Sequence, residues 1–222
     1  AADLTVSNVT GTVNVAGVET INLISSGTVA NNLNLGGQAG QTTVTVAGTN
    51  NLTLNTAGIA NVNNLNASNF QGNLTAQLGA ASVTAQGGIG NDSLTVTSAA
   101  ANVAGGAGQD SITAGTGNDS INAGADNDVI AMGGNLSSND SVDGGTGVDT
   151  LSSTAANLAT ASVSALANVN NIDVLTVTDV MAGETILVDN IDSTIATVNL
   201  NGGTGTLEFN TGVSTVNLAG VL

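Results

Sequence analysis

The sequence predicts an all-β protein: a parallel β-solenoid whose central segment is a glycine-rich roll. Three observations predict it. Short apolar triplets recur about ten residues apart in the first part of the chain. A nine-residue Gly-Gly-x-Gly-x-Asp pattern repeats in one phase through the middle. Only one Ala-rich stretch has room for a helix, and a short one.

The triplets are Leu33-Asn34-Leu35, Val44-Thr45-Val46, Leu52-Thr53-Leu54, Val62 to Leu65, Leu74 to Leu78 and Val83-Thr84-Ala85. Apolar residues alternating with Thr or Asn, between turn residues, read as short strands. A fixed short spacing favours a solenoid, in which each turn buries its face on the next, over an antiparallel sandwich of hairpins. Stacked Thr and Asn add side-chain ladders. Residues 1–86 therefore read as a solenoid of Thr/Asn-rich strands, 87–152 as the roll, and 153–222 as a β-rich continuation. In the last part, a helix is expected near 155–168. Strands are expected at Asp173 to Thr178, Thr185 to Val188, Ala196 to Leu200, Thr206 to Phe209 and Ser214 to Leu218.

Composition excludes whole classes of function. The chain has no Lys, Arg, His, Cys, Trp, Tyr or Pro, and only two Phe. A nucleic-acid partner needs a basic footprint, so none is expected. Zinc, haem and iron–sulfur sites lean on His or Cys, and Walker-type phosphate sites on Lys. Serine nucleophiles usually need a His or Lys base. What remains is carboxylate, hydroxyl, amide and backbone chemistry. No window is apolar enough to insert in a membrane. The chain begins Ala1-Ala2-Asp3 with no signal peptide, as a mature or trimmed piece would.

The net charge is −16, with no basic side chain to offset it. Such self-repulsion favours the open chain unless cations are recruited. Half of the sixteen acids lie between Asp92 and Asp149, whereas residues 1–86 hold only Asp3 and Glu19. Clustered carboxylates in a Gly-rich stretch suit a hard divalent cation.

The middle reads GGIGNDSLT at 87–95, GGAGQDSIT at 105–113, AGTGNDSIN at 114–122, AGADNDVIA at 123–131 and GGTGVDTLS at 144–152, with a degenerate copy at 133–143. The apolar eighth positions are Leu94, Val103, Ile112, Ile121, Ile130, Val142 and Leu151. They step by nine except from Ile130 to Val142, which places a three-residue insertion at Asn135 to Ser138. Six Gly-rich residues make a turn with positive φ, and three make a strand. Two nonapeptides complete one coil, so turns eighteen residues apart stack. One edge then holds Asp92, Asp110, Asp128 and Asp149, and the other Ala101, Asp119 and Asp140.

Calcium between stacked turns takes oxygens from Asp side chains and from turn carbonyls. The register predicts about four ions, at Asp92/Asp110, Asp110/Asp128, Asp128/Asp149 and Asp119/Asp140, and none at the Ala101 coil. The turn glycines Gly88, Gly90, Gly106, Gly108, Gly115, Gly117, Gly124, Gly145 and Gly147 complete the candidate metal set. Asp126 replaces the fourth-position Gly. It reads either as an added ligand or as a solvated turn residue.

On these nonapeptides the chain resembles the RTX (repeats-in-toxin) proteins, and in particular bacterial surface-layer (S-layer) proteins of the RsaA type. Gly17-Val18-Glu19-Thr20-Ile21-Asn22-Leu23 resembles a segment that recurs in their solenoids, and Leu166 to Thr178 a looser version of it. The resemblance implies secretion, folding triggered by external calcium, and self-assembly into a lattice or filament on the cell surface. The expected partner is the chain itself, with cell-surface polysaccharide as a second. An RTX adhesin or ice-binding module is the alternative, the latter on exposed Thr116 and Asn118. A carboxylate-pair hydrolase is the third class. It lacks the aromatic and basic residues that grip sugars, and Glu19, Glu184 and Glu208 are dispersed, so no enzymatic activity is expected.

Overall fold

A computed structural model describes residues 1–36, 42–55, 62–80, 82–97, 100–160, 168–179, 181–188, 191–201, 203–208 and 213–218. The chain winds back and forth between two parallel sheets. The first stacks β1 (Ala2–Ser7), β3 (Thr20–Ser26), β5 (Thr42–Gly48), β7 (Val62–Phe70), β9 (Val83–Gln86), β11 (Ala101–Ala107), β13 (Ser120–Ala125), β15 (Ser141–Thr146) and β17 (Val169–Asn170). The second stacks β2 (Thr10–Asn14), β4 (Asn31–Gly36), β6 (Leu52–Asn55), β8 (Leu74–Leu78), β10 (Ser93–Val96), β12 (Ser111–Thr113), β14 (Val129–Gly133), β16 (Thr150–Ser153), β18 (Val174–Val177), β20 (Thr197–Leu200) and β22 (Thr215–Leu218). Among the described residues every strand pair is parallel, as a solenoid requires and a hairpin sandwich forbids. The fold is an all-β parallel solenoid with a central roll.

Alternation places one set of side chains between the sheets. Each apolar triplet falls on a strand, and the apolar eighth positions form two buried columns. One column runs Ala76, Leu94, Ile112, Ile130, Leu151, Leu175 and Val198 through the second sheet. The other runs Ala85, Val103, Ile121, Val142 and Val169 through the first. They belong to one continuous hydrophobic core reaching from Val6 to Val198. Both sheets cross residues 86/87 and 152/153 without interruption.

The register also shows the coil lengths. Nonapeptide coils take eighteen residues (Ser93 pairs with Ser111, and Ser111 with Val129). The coil with the insertion takes twenty-one, since Ser120 pairs with Ser141. In that insertion Leu136 is buried in the core, and its carbonyl accepts a hydrogen bond from Asn157 Nδ2 at 2.8 Å.

Two details differ from the sequence reading. The division into six turn residues and three strand residues holds at β12, but β11, β13 and β15 run on through Gly105-Gly106, Ala123-Gly124 and Gly144-Gly145. Gly106, Gly124 and Gly145 are themselves ladder partners. A Cβ on Gly124 would lie 2.0 Å from the Gly106 carbonyl oxygen, so only glycine allows this stacking. The second difference lies beyond the roll. Helix α1 (Ala155–Thr160) buries Ala155 and Leu158 in the core, and β19 (Met181–Leu187) packs against it. β19 then pairs with β21 (Gly203–Glu208) in a separate two-stranded sheet instead of extending the first sheet. The strand expected at Thr206 to Phe209 is β21, and Phe209 lies outside the described residues, as do 161–167 of the expected helical stretch.

Candidate metal centre

Each motif aspartate is the residue immediately before a strand. Asp92, Asp110, Asp128 and Asp149 precede β10, β12, β14 and β16 on one edge, and Asp119 and Asp140 precede β13 and β15 on the other. All six are buried, at 1–2 % exposure. The stacking predicted from spacing is realised as a ladder in which a side chain accepts from the backbone one coil earlier. Asp92 N–H donates to Asp110 Oδ1 (2.8 Å), Asp110 N–H to Asp128 Oδ1 (2.7 Å) and Asp128 N–H to Asp149 Oδ1 (2.8 Å). On the second edge Asp119 N–H donates to Asp140 Oδ1 (2.8 Å). At the next coil Ala101, which has no carboxylate, donates its N–H to Asp119 Oδ1 at 2.8 Å.

This ladder consumes one oxygen of each carboxylate. The fate of the second oxygen separates the residues. Oδ2 of Asp110, Asp119 and Asp128 is buried with no hydrogen-bond partner. A buried carboxylate oxygen left without a donor costs several kcal/mol unless charge is supplied or the group protonates. Asp92 Oδ2 instead accepts from Gly88 N–H at 2.7 Å. Asp140 Oδ2 accepts from Ser137 N–H (2.7 Å) and Ser137 Oγ (3.1 Å), so the insertion loop has closed over it.

Glycines keep the space beside Asp92, Asp110 and Asp149 open, whereas Ala114 and Ala123 hold the corresponding position before Asp119 and Asp128. A Cβ on Gly105 would meet Asp110 Oδ2 and the Ala123 carbonyl oxygen, both at 2.3 Å. On Gly87 it would meet the Gly105 carbonyl oxygen at 2.1 Å and Asp92 Oδ2 at 2.5 Å; on Gly144, the Asn171 carbonyl oxygen at 2.1 Å and Asp149 Oδ2 at 2.9 Å. Carbonyl and carboxylate oxygens therefore converge on these first-position glycines, which the sequence reading left out of its metal set. The glycines it did include serve the turn backbone. Gly88, Gly106, Gly124 and Gly145 form the close-stacked column. Gly108, Gly117 and Gly147 adopt positive φ, and a Cβ on Gly90 would strike Gly72. Gly115 lies with Gly117 in the turn before Asp119. Asp126 keeps the left-handed conformation of the glycine it replaces, at φ 79°, and its exposed Oδ2 accepts from Gly108 N–H at 3.2 Å.

The electrostatics of these carboxyls suit a cation. Burial raises the carboxyl of Asp110 to about 7, opposed by the Asp92 N–H and reinforced by the charges of Asp92, Asp128 and Asp126. Burial raises Asp128 to about 6, and it also pushes Asp92, Asp119 and Asp149 upward. No Lys, Arg or His exists to pair with them, so the compensating charge must come from solution. Among the described residues no three acidic side chains are placed to hold one metal ion between them, so further ligands would be backbone carbonyls. One or two carboxylates plus carbonyls is a hard, all-oxygen donor set, which suits calcium.

Residues 97–130 and 136–157 match the family model described as the RTX calcium-binding nonapeptide repeat (4 copies). The roll carries RTX calcium-binding repeats. They cover about a quarter of the chain. Repeats of this kind bind calcium, typically in secreted, extracellular proteins, and RTX rolls are typically structural. No curated protein and no solved structure gave a significant match. No helix among the described residues is long and apolar enough to cross a membrane. The RTX match leaves out Asp92, which the ladder nonetheless places in the Asp110 column. The ladder also continues past the matched segment, because Asp149 N–H donates to Asp173 Oδ2 at 2.9 Å. Asp173 was missed as a ladder residue because Val169-Asn-Asn-Ile-Asp173 lacks the glycine signature. Asn171, at φ 56°, takes the left-handed position two residues before the aspartate that Gly147 holds before Asp149.

Proposed function

We propose that this protein is a calcium-dependent extracellular structural subunit that self-assembles into a surface layer or filament. The observation that supports it best is the set of buried, unpartnered oxygens on Asp110, Asp119 and Asp128 in a chain without one basic side chain. Inside a low-calcium cell such a roll is electrostatically penalised. Outside, calcium turns the same carboxylates into cross-links between successive coils. About four ions fill the roll, at Asp92/Asp110, Asp110/Asp128, Asp128/Asp149 and Asp119/Asp140. The S-layer assignment rests on the compositional and solenoid resemblance. The adhesin and ice-binding reading draws less support, since Thr116 and Asn118 stand on a single turn and not in a long row.

The test is a calcium titration of the whole chain followed by far-ultraviolet circular dichroism and negative-stain microscopy. Millimolar calcium, where extracellular modules respond, should complete the β signal of the roll and produce ordered arrays, and EGTA should reverse both. A β signal and particle distribution indifferent to EGTA would sink the proposal.

A further inference from the structure

The second sheet is free of acidic residues along its whole described length, in all eleven strands from β2 through β22 by even numbers, whereas the first carries one on β1 and one on β15. The first sheet bears Asp3 and Asp143 on its outer face, the small sheet bears Glu184 and Glu208, and the motif aspartates occupy the two edges. The outward positions of the second sheet form straight rows. One passes through Thr53, Thr75, Ser93, Ser111, Val129 and Thr150. Its neighbour passes through Gln77, Thr95, Thr113, Ala131 and Ser152. Shallow grooves lie between the rows, one lined by Thr53, Asn55, Thr75, Gln77 and Thr95, and another by Thr176, Thr178, Asn199 and Asn201.

We infer that this uncharged outer face is where a second copy of the chain packs. The inference rests on the self-assembly reading and names its surface. Charge is the first reason. Two molecules of net charge −16 repel wherever their carboxylates meet, and this is the long face on which none do. Periodicity is the second. Rungs repeat about every 4.8 Å, and only another solenoid has the same pitch, so the rows of one copy fall into the grooves of the other along all eleven rungs. The face extends about 50 Å along the stack and about 10 Å across on that spacing. The pair therefore buries roughly 1,000 Å² in total, at the lower limit of specific interfaces. Such a contact is weak singly and accumulates in an array. Thr methyl and hydroxyl groups and Asn amides suit close interdigitation of like side chains. A glycan would want the aromatic rings, and a nucleic acid the cations, that this chain lacks.

The test uses two triple variants of the full chain with the same added charge. Thr53, Thr75 and Thr95 are changed to Asp on the second sheet, and Asn22, Thr45 and Asn66 to Asp on the first. In calcium, sedimentation velocity should show the first variant monomeric at concentrations tenfold above those at which the wild type assembles, with its calcium-induced circular dichroism intact. The second should assemble as the wild type does. Because the chain has no cysteine, Thr75→Cys and Asn66→Cys supply a readout that does not disturb folding. A bismaleimide should link copies through position 75 and not through position 66. Normal assembly of the first variant, or cross-linking through 66 but not 75, overturns the face and leaves self-assembly standing. A wild type that stays monomeric in calcium, including one that shows thermal hysteresis or retains polysaccharide, overturns both.

Discussion

Replacing Asp110 by Asn separates a structural role from a metal role, because the two oxygens of this carboxylate do different work. Oδ1 accepts the Asp92 N–H at 2.8 Å, and an amide oxygen can do the same. Oδ2 has no partner in the protein, and the amide nitrogen that replaces it cannot bind a cation. In chelator the variant should be at least as stable as the wild type, since it removes a buried carboxyl crowded by Asp92, Asp126 and Asp128. In calcium the order should reverse. Losing one member of a buried charge pair costs about 3–5 kcal/mol. A loss of about 3 kcal/mol corresponds to calcium binding weakened at least ~100-fold at the coils Asp110 joins. Asp110→Ala should be worse in both media, because it also leaves a buried backbone donor unpaired, at about 1–3 kcal/mol. Calcium titration calorimetry and thermal melts with and without chelator measure each quantity. An Asn variant that binds calcium like the wild type would refute the assignment of Oδ2 to the metal.

The remaining predictions concern protons and glycine. Because burial raises Asp110 and Asp128 above the ordinary value of 3.8, to about 7 and about 6, the metal-free fold binds more protons than the unfolded chain in that interval. Its stability must therefore fall as pH rises from about 4 to about 7. Calcium competes with those protons, so its thermal stabilisation should be larger near pH 8 than near pH 5, and melts of calcium-free and calcium-loaded protein at both pH values check the sign. Gly105→Ala would place a methyl 2.3 Å from both Asp110 Oδ2 and the Ala123 carbonyl oxygen. It should cost about 3 kcal/mol, at the upper end of overpacking. Gly11→Ala, with nothing within 4 Å, should stay within about 0.5 kcal/mol in the same urea titration.

Much of this arrangement was legible in the sequence because solenoid stacking turns spacing into proximity. A nine-residue step of Leu94, Val103, Ile112 and Ile121 can only be a two-strand coil if all four are to be buried, and the Asp ladder follows from that register without further information. The insertion was legible as a break in the same count. That it closes Asp140 was not, because the closure depends on Leu136 anchoring the loop so that Ser137 can reach Oδ2. The pairing of β19 with β21 was equally hidden. β19 packs against α1, and nothing in the sequence Met181 to Leu187 marks which sheet it joins. Asp173 escaped because its turn achieves the left-handed conformation with Asn171, which no glycine pattern reveals.

One column shows what sets the roll apart from the coils before it. At the register position of Asp92 stand Asn31, which opens β4, then Leu52 and Leu74, which open β6 and β8, and then Asp from Asp92 through Asp149. All are buried. Asn31 satisfies itself, its Oδ1 accepting the Val9 N–H at 2.8 Å and its Nδ2 donating to Ser25 Oγ at 2.8 Å. Leu52 and Leu74 satisfy the position by apolar burial alone. The aspartates accept the same inter-coil N–H as Asn31 does, but at Asp110 and Asp128 the amide donor is exchanged for a second oxygen that no group in the protein answers. An Asn or Leu column would have folded unconditionally. Asp in the same place leaves buried oxygens on Asp110 and Asp128 for a cation to answer, and Gly87, Gly105 and Gly144 keep a side chain out of the space beside Asp92, Asp110 and Asp149.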